Sequence, residues 1–127
     1  HTLNPLARIL SAESYSVDDP ADFIAAPNGA IKRALIRAGV GLSEIDIFLI
    51  NEAFAPSPIH FMKEFRISRE KINSWGGACA FGHPFGATGV VLLVMLLTML
   101  EKEQKRFGVV SVCAAGGEAS ACVIERM

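Results

Sequence analysis

The sequence lacks any block of like charge. Its 12 Lys and Arg face 13 Asp and Glu, for a formal net charge of −1. Neither nucleic acid phosphates nor an anionic membrane surface would find a complementary patch. Cysteines are few: there are three, an odd number, and their spacing gives neither CxxC nor any zinc pattern. That excludes a disulfide framework and a zinc cluster, so no metal is expected, and it fits free thiols in a reducing, cytoplasmic or mitochondrial compartment. The apolar run from Val90 to Leu100 falls short of the about 20 residues that span a bilayer. "HTLNPLAR" has no apolar h-region of a signal peptide, and its start without Met suggests a cut boundary. Also missing are GxGxxG, GK[ST] and GxSxG, and with them the signatures of dinucleotide folds, P-loops and hydrolase elbows. No internal repeat, linker or low-complexity tract interrupts the chain.

What is present suits one domain. The chain has 127 residues, 51% of them hydrophobic, enough for a real core. Residues 6–17 read as a strand, and 18–29 as a loop with turn chemistry at Pro20 and Asn28-Gly29. Residues 30–39 repeat apolar positions at helical spacing and stop at Gly39. "EIDIFLINEAF" reads as a buried strand running into a loop at Asn51, and "PSPIHFMKEFRI" as a short amphipathic helix beginning near Pro58. The stretch 87–102 is apolar nearly all round, which predicts a helix buried on most sides, against another domain as well as its own sheet. "FGVVSVCAAGG" and "ASACVIERM" read as two strands joined by a tight Gly turn. This order predicts an α/β layered fold with a mixed sheet, a buried helix and a closing hairpin.

One segment does not read as framework. "NSWGGACAFGHPFGATG", residues 73–89, holds His83 before Pro84 among five glycines. Pro84 biases His83 away from helix, and glycine lets the backbone approach closely or take positive φ. The bland alternative, a Gly-rich turn that happens to contain a histidine, carries about equal weight on this segment alone. The surroundings add to the functional side: Asn51, His83 and Cys113 all fall at element ends on the carboxyl side of strands, where open α/β sheets collect sites. A histidine near a thiol suits proton transfer and thiol activation, and the small residues of "CAAGG" leave main-chain N–H groups free for an oxyanion. Cys79 and Cys122 read as core residues, and His60 as a surface or packing residue. Cys79 and His83 are four apart, as helical metal ligands would be, but the glycines argue against a helix there.

Taken together, "NEAFA" at 51–55, "GGACAFGHPFGATG" at 76–89 and "CAAGG" at 113–117 resemble the three C-terminal signature blocks of the thiolases, in that family's order and near its spacing. "NPLARILSAES" and "APNGAIKRALIRAGVGLSEID" resemble its flanking segments, so the likeness covers essentially the whole chain, residues 1–127. The resemblance implies one βαβαββ half of an αβαβα sandwich, with an N-terminal half as partner and an oligomeric assembly. It implies coenzyme A thioesters as substrates, acyl-CoA and CoA as ligands, and no tightly bound cofactor. His83 would activate a nucleophilic cysteine and hold the thioester oxygen. Asn51 would fix a water in that oxyanion hole, and Cys113 would move a proton on or off the α-carbon. The main chain at Ala115, beside Gly116, would serve a second oxyanion hole.

The family's nucleophile lies in its N-terminal half, a segment these 127 residues do not contain, so this chain alone is expected to be inactive. "CAAGG" and "GHPFGATG" resemble the β-subunits of fatty-acid-oxidation complexes, although those carry His at the position of Asn51. Ala119 stands at a position where the family has glycine; a positive φ there would cost about 1 kcal/mol or more. The alternative function is a non-catalytic thiolase-like module that pairs with a partner chain. A ketoacyl-synthase relative would carry His or Asn in place of Cys113, and the sterol-carrier group replaces the "NEAF" block.

Overall fold

The computed structural model describes residues 3–127; the His1-Thr2 start lies outside them. Four strands, β1 (Ala7–Ser16), β2 (Ile47–Ile50), β3 (Phe107–Ala114) and β4 (Glu118–Arg126), form one sheet in the order β1-β4-β3-β2. β2 and β3 pair in parallel, while β3/β4 and β1/β4 are antiparallel, giving the mixed sheet and closing hairpin expected from the sequence. Leu10 is the extra residue of a bulge between Ile9 and Ser11. There Ser11 stays paired with Val123 while its Oγ donates to Ala34 O at 2.7 Å, tying the strand to the helix above it.

Strand alternation divides the core between two faces. Phe48, Ile50, Val109, Ala121 and Val123 turn toward α1 (Ala26–Ala38) and α2 (Pro56–Phe65). Ile47, Leu49, Val110 and Ile124 turn toward α4 (Thr88–Lys102). The helix α1 begins four residues before the sequence suggests. Pro27 sits in its first turn, where the missing N–H is no loss. Gly29 is present because the Tyr15 ring lies 2.3 Å from where its Cβ would stand, so it marks a close approach and no turn. The tight turn after β3 places its left-handed residues at Gly116 and Gly117, φ 85° each. Ala119 lies within β4, paired with Cys113, so the strain considered for it does not arise.

The helix α4 is only half covered by this chain. Leu92, Leu96, Met99 and Leu100 are fully buried on the sheet, but Val90 is 63% and Val94 58% exposed, with Val91 beside them. The apolar stretch is also longer than the run of aliphatic residues suggests. Phe85–Lys102 reaches 18 residues at mean hydropathy 1.7, long and apolar enough to cross a bilayer, with 28% of it buried. Its inner side is sheet core. The outer valines leave an apolar strip in water along one face of the helix. The 127-residue polypeptide is therefore expected to self-associate with rising concentration. Sedimentation velocity showing monomer alone at high protein concentration would refute this.

Candidate active site

The site gathers at the carboxyl ends of β2 and β3. The Asn51 N–H donates to Ser111 O at 2.8 Å, carrying the parallel pairing one residue past β2. This fixes Asn51 in register with the strand that delivers Cys113 two residues later. Asn51 is buried, and its Nδ2 lies 3.4 Å from His83 Nε2, a long contact. Its Oδ1 is buried without a hydrogen-bond partner among the described residues. A buried acceptor in that condition is a place for a donor from substrate or solvent.

His83 is presented by a turn and a cap. A single helical turn, α3 (Ala78–Phe81), ends at Gly82, whose φ of 94° and ψ of 170° only glycine adopts readily. The chain then reverses through His83 and Pro84 into α4. The glycines thus permit one helical turn at Cys79, contrary to the sequence reading. His83 lies beyond Gly82, so the two do not share a helix face. His83 Nδ1 is 2.7 Å from Thr88 Oγ1, and Thr88, the buried first residue of α4, holds the ring's far edge. With Nδ1–H donating to Thr88, Nε2 keeps its lone pair on the Asn51 side and can take up a proton. The His83 ring packs on Phe85, centroids 5.0 Å apart. Phe85 takes a φ of 44°, a left-handed conformation uncommon outside glycine.

His83 and Cys113 line the same open cavity of about 770 Å³, with Ala115 and Gly116 at its turn edge and Phe23, Phe54 and Phe85 among its apolar walls. Asn51 is not part of that wall; it stands behind His83. The Cys113 thiol is half-buried, and burial pushes its pKa above the ordinary thiol value. The neutral thiol is favoured, and a thiolate formed there would be a stronger base. The two remaining cysteines are elsewhere. Cys122 is half-buried on the opposite, α4 side of the sheet. Cys79 is exposed, not core as its residue type suggested, and the neighbouring Glu52 carboxylate pushes its thiol pKa up. His60 is exposed, the surface residue the sequence allowed for, its Nδ1 2.9 Å from Asn28 Nδ2 on α1. Among the described residues no group of three or more His, Cys, Asp or Glu could hold a metal ion.

Sequence reasoning missed Thr88, Glu52 and the three phenylalanines. Thr88 carried a signal, a hydroxyl residue at the start of an apolar helix five residues after the histidine. The phenylalanines carried none, because their convergence depends on Phe23 arriving from a distant loop.

A mixed sheet covered by helices on both faces, with Asn51, His83 and Cys113 gathered near its strand ends, defines a layered α/β domain. The particular family follows from comparison. Residues 3–126 match the model of the thiolase C-terminal domain, and the chain belongs to the thiolases as that domain. It is 43% identical over 124 residues to the cytosolic acetyl-CoA acetyltransferase of Mus musculus, covering 98% of this chain and 31% of that protein. It superposes at TM-score 0.90 and 39% identity on the Acat5 thiolase of Ascaris suum in complex with coenzyme A, covering 98% of this chain and 32% of that one. With human mitochondrial 3-ketoacyl-CoA thiolase the TM-score is 0.93 at 34% identity, over 98% and 31%. The chain thus spans about a third of the length of the relatives it matches. Those relatives include both a cytosolic and a mitochondrial protein.

Proposed function

We propose that residues 1–127 are the C-terminal catalytic domain of an acyl-CoA C-acyltransferase, which condenses or thiolytically cleaves 3-ketoacyl-CoA together with an N-terminal half. The observation that carries this reading is the shared cavity: a histidine whose Nε2 meets only the long Asn51 contact and a half-buried thiol line one space edged by the Ala115-Gly116 turn. In this reading the N-terminal half supplies the nucleophilic cysteine. His83 Nε2 takes that thiol's proton as its sulfur attacks the acyl-CoA carbonyl, and gives the proton to the CoA sulfur as it leaves. The carbonyl oxygen is held by His83 and by a water on Asn51, whose unpartnered buried Oδ1 would accept from that water. Cys113, reacting as its thiolate, then removes the α-proton of a second acyl-CoA, the carbanion attacks the acyl-enzyme carbonyl, and the nucleophilic sulfur departs and takes up the proton that Cys113 gained. The raised Cys113 pKa makes that thiolate the minor form and the stronger base toward a weakly acidic carbon. The oxyanion of the second thioester falls to the main chain of Ala115 and Gly116.

No soluble cofactor enters these steps; the acyl carrier itself is coenzyme A, in keeping with the CoA-bound relative. The exposed valine stripe of α4 supports an N-terminal half packed upon it and an oligomeric protein. The compartment follows the relatives, cytosolic or mitochondrial.

The test compares the 127-residue polypeptide with a chain in which an N-terminal thiolase half precedes residue 1, each given acetoacetyl-CoA and CoA. The polypeptide alone is expected to show no turnover, because Cys79 does not line the cavity of His83 and Cys113, and Cys122 lies across the sheet. The two-half chain is expected to form acetyl-CoA. Steady cleavage by the short polypeptide would overturn the location of the nucleophile. Inactivity of the folded two-half chain on every 3-ketoacyl-CoA offered would overturn the acyltransferase reading in favour of a non-catalytic module.

A further inference from the structure

Glu52 follows Asn51 directly, yet it points away from the cavity. Its Oε1 accepts from Asn73 Nδ2 at 2.8 Å, and its Oε2 accepts from the Cys79 N–H at 3.0 Å in α3. Asn73 is itself clamped to β2. Its Nδ2 donates to Ile50 O and its Oδ1 accepts from Ile50 N–H, both at 2.9 Å, while its own N–H donates to Phe48 O at 2.9 Å. The carboxylate therefore bridges the end of the strand that carries Asn51 and the helical turn that leads through Gly82 to His83. Space is reserved for it. A Cβ on Gly77 would stand 2.4 Å from the Glu52 carboxyl carbon and 2.5 and 2.6 Å from its oxygens. Gly77 has a φ of −152°, extended backbone that any residue adopts, so glycine is there for room.

We propose that Glu52 is a positioning residue: its carboxylate, seated on Gly77 between Asn73 and the Cys79 N–H, fixes His83 relative to Asn51. The carboxylate is held in its charged form. Burial opposes that, but the Cys79 N–H, the Asn73 amide and the Arg69 charge together lower its pKa below the ordinary carboxylate value. Both of its partners here are N–H donors, so two acceptor oxygens are required. Glutamine can supply only one and turns its NH₂ on the other donor. The Asn51–His83 contact is already long at 3.4 Å, and a shift of about 1 Å in a reacting group can cost about 10²-fold in rate.

As a contribution to turnover this inference rests on the acyltransferase reading, and two readouts separate the two claims. In the two-half enzyme, Glu52→Gln is expected to lower kcat by about 10- to 100-fold, with KM for acyl-CoA changed less than about threefold. The nitrogen and ring-proton resonances of His83, and its titration midpoint, should move in NMR spectra of the same sample. Gly77→Ala offers an independent perturbation if Glu52→Gln does not fold, because its Cβ displaces only the carboxylate at the end of a flexible side chain. It is expected to move the same His83 signals in the same sense, and the double variant should be no worse than the more impaired single one. Folded Glu52→Gln or Gly77→Ala protein with unchanged His83 resonances and titration overturns the proposal. So does a kcat loss with those signals unmoved, which would be damage elsewhere. If His83 signals shift while the wild type processes no acyl-CoA, the positioning of His83 stands and the acyltransferase reading falls.

Discussion

Cys113→Ala in the two-half enzyme is expected to leave acylation by acetyl-CoA largely intact and to suppress acetoacetyl-CoA formation by about 10²–10⁴-fold, the usual worth of a positioned proton-transfer group. Acyl transfer to the nucleophile moves no α-proton, whereas carbon–carbon bond formation must remove one. The Cys113 thiol shares a cavity with His83 but makes no side-chain bond to it among the described residues, so its loss need not disturb the ring. His83→Ala should fail earlier, at acylation, since the nucleophile loses its base and the thioester oxygen a donor. Intact-mass detection of trapped acyl-enzyme, read beside acetoacetyl-CoA formation, separates the two steps. Condensation at near wild-type rate by Cys113→Ala, or its failure to acylate while folded, would refute the division of roles.

The largest expected loss of stability comes from Phe61→Ala. Phe61 is fully buried between α2 and the sheet, its ring 5.1 Å from that of Phe48 and 4.7 Å from that of Phe65. Truncation of a buried phenylalanine costs about 3–5 kcal/mol, through lost transfer energy and the cavity left behind. Domains of this size are stable by only about 5–15 kcal/mol, so the variant should sit near the edge of folding. Urea denaturation with an unchanged m-value and a much lower midpoint would meet the expectation. A loss below about 1.5 kcal/mol, the range of volume-conserving swaps, would mean that Phe48 and Phe65 close over the gap.

The framework was readable wherever local physics dominates. The short apolar runs "IFLI" and "FGVVSV", the helical spacing of Ile31 and Leu35, and the Gly39 stop each depend on near neighbours, and two strands and a helix ending at Gly39 are found there. The errors arose where a distant side chain intervened. Asn28-Gly29 looks like a turn, but the Tyr15 ring needs the space above Gly29 and Pro27 starts the helix early. Cys79 looks like a core residue, but its turn is pinned at the surface by a carboxylate 27 positions away.

The sequence by itself determined the family and singled out Asn51, His83 and Cys113 as candidate site residues, because a glycine-framed histidine and two short blocks keep their identity whatever surrounds them. Tertiary structure alone decided how those groups meet. Only the parallel register of β2 and β3 sets Asn51 beside Ser111 and hence near Cys113. Only the reversal at Gly82 turns His83 so that Thr88 holds one ring nitrogen and Asn51 approaches the other. The physical reason is range. Residue type and spacing report on a few neighbouring peptide units, whereas a site is a set of distances between segments tens of residues apart. Those distances are fixed by strand register and side-chain packing, which the folded chain sets all at once.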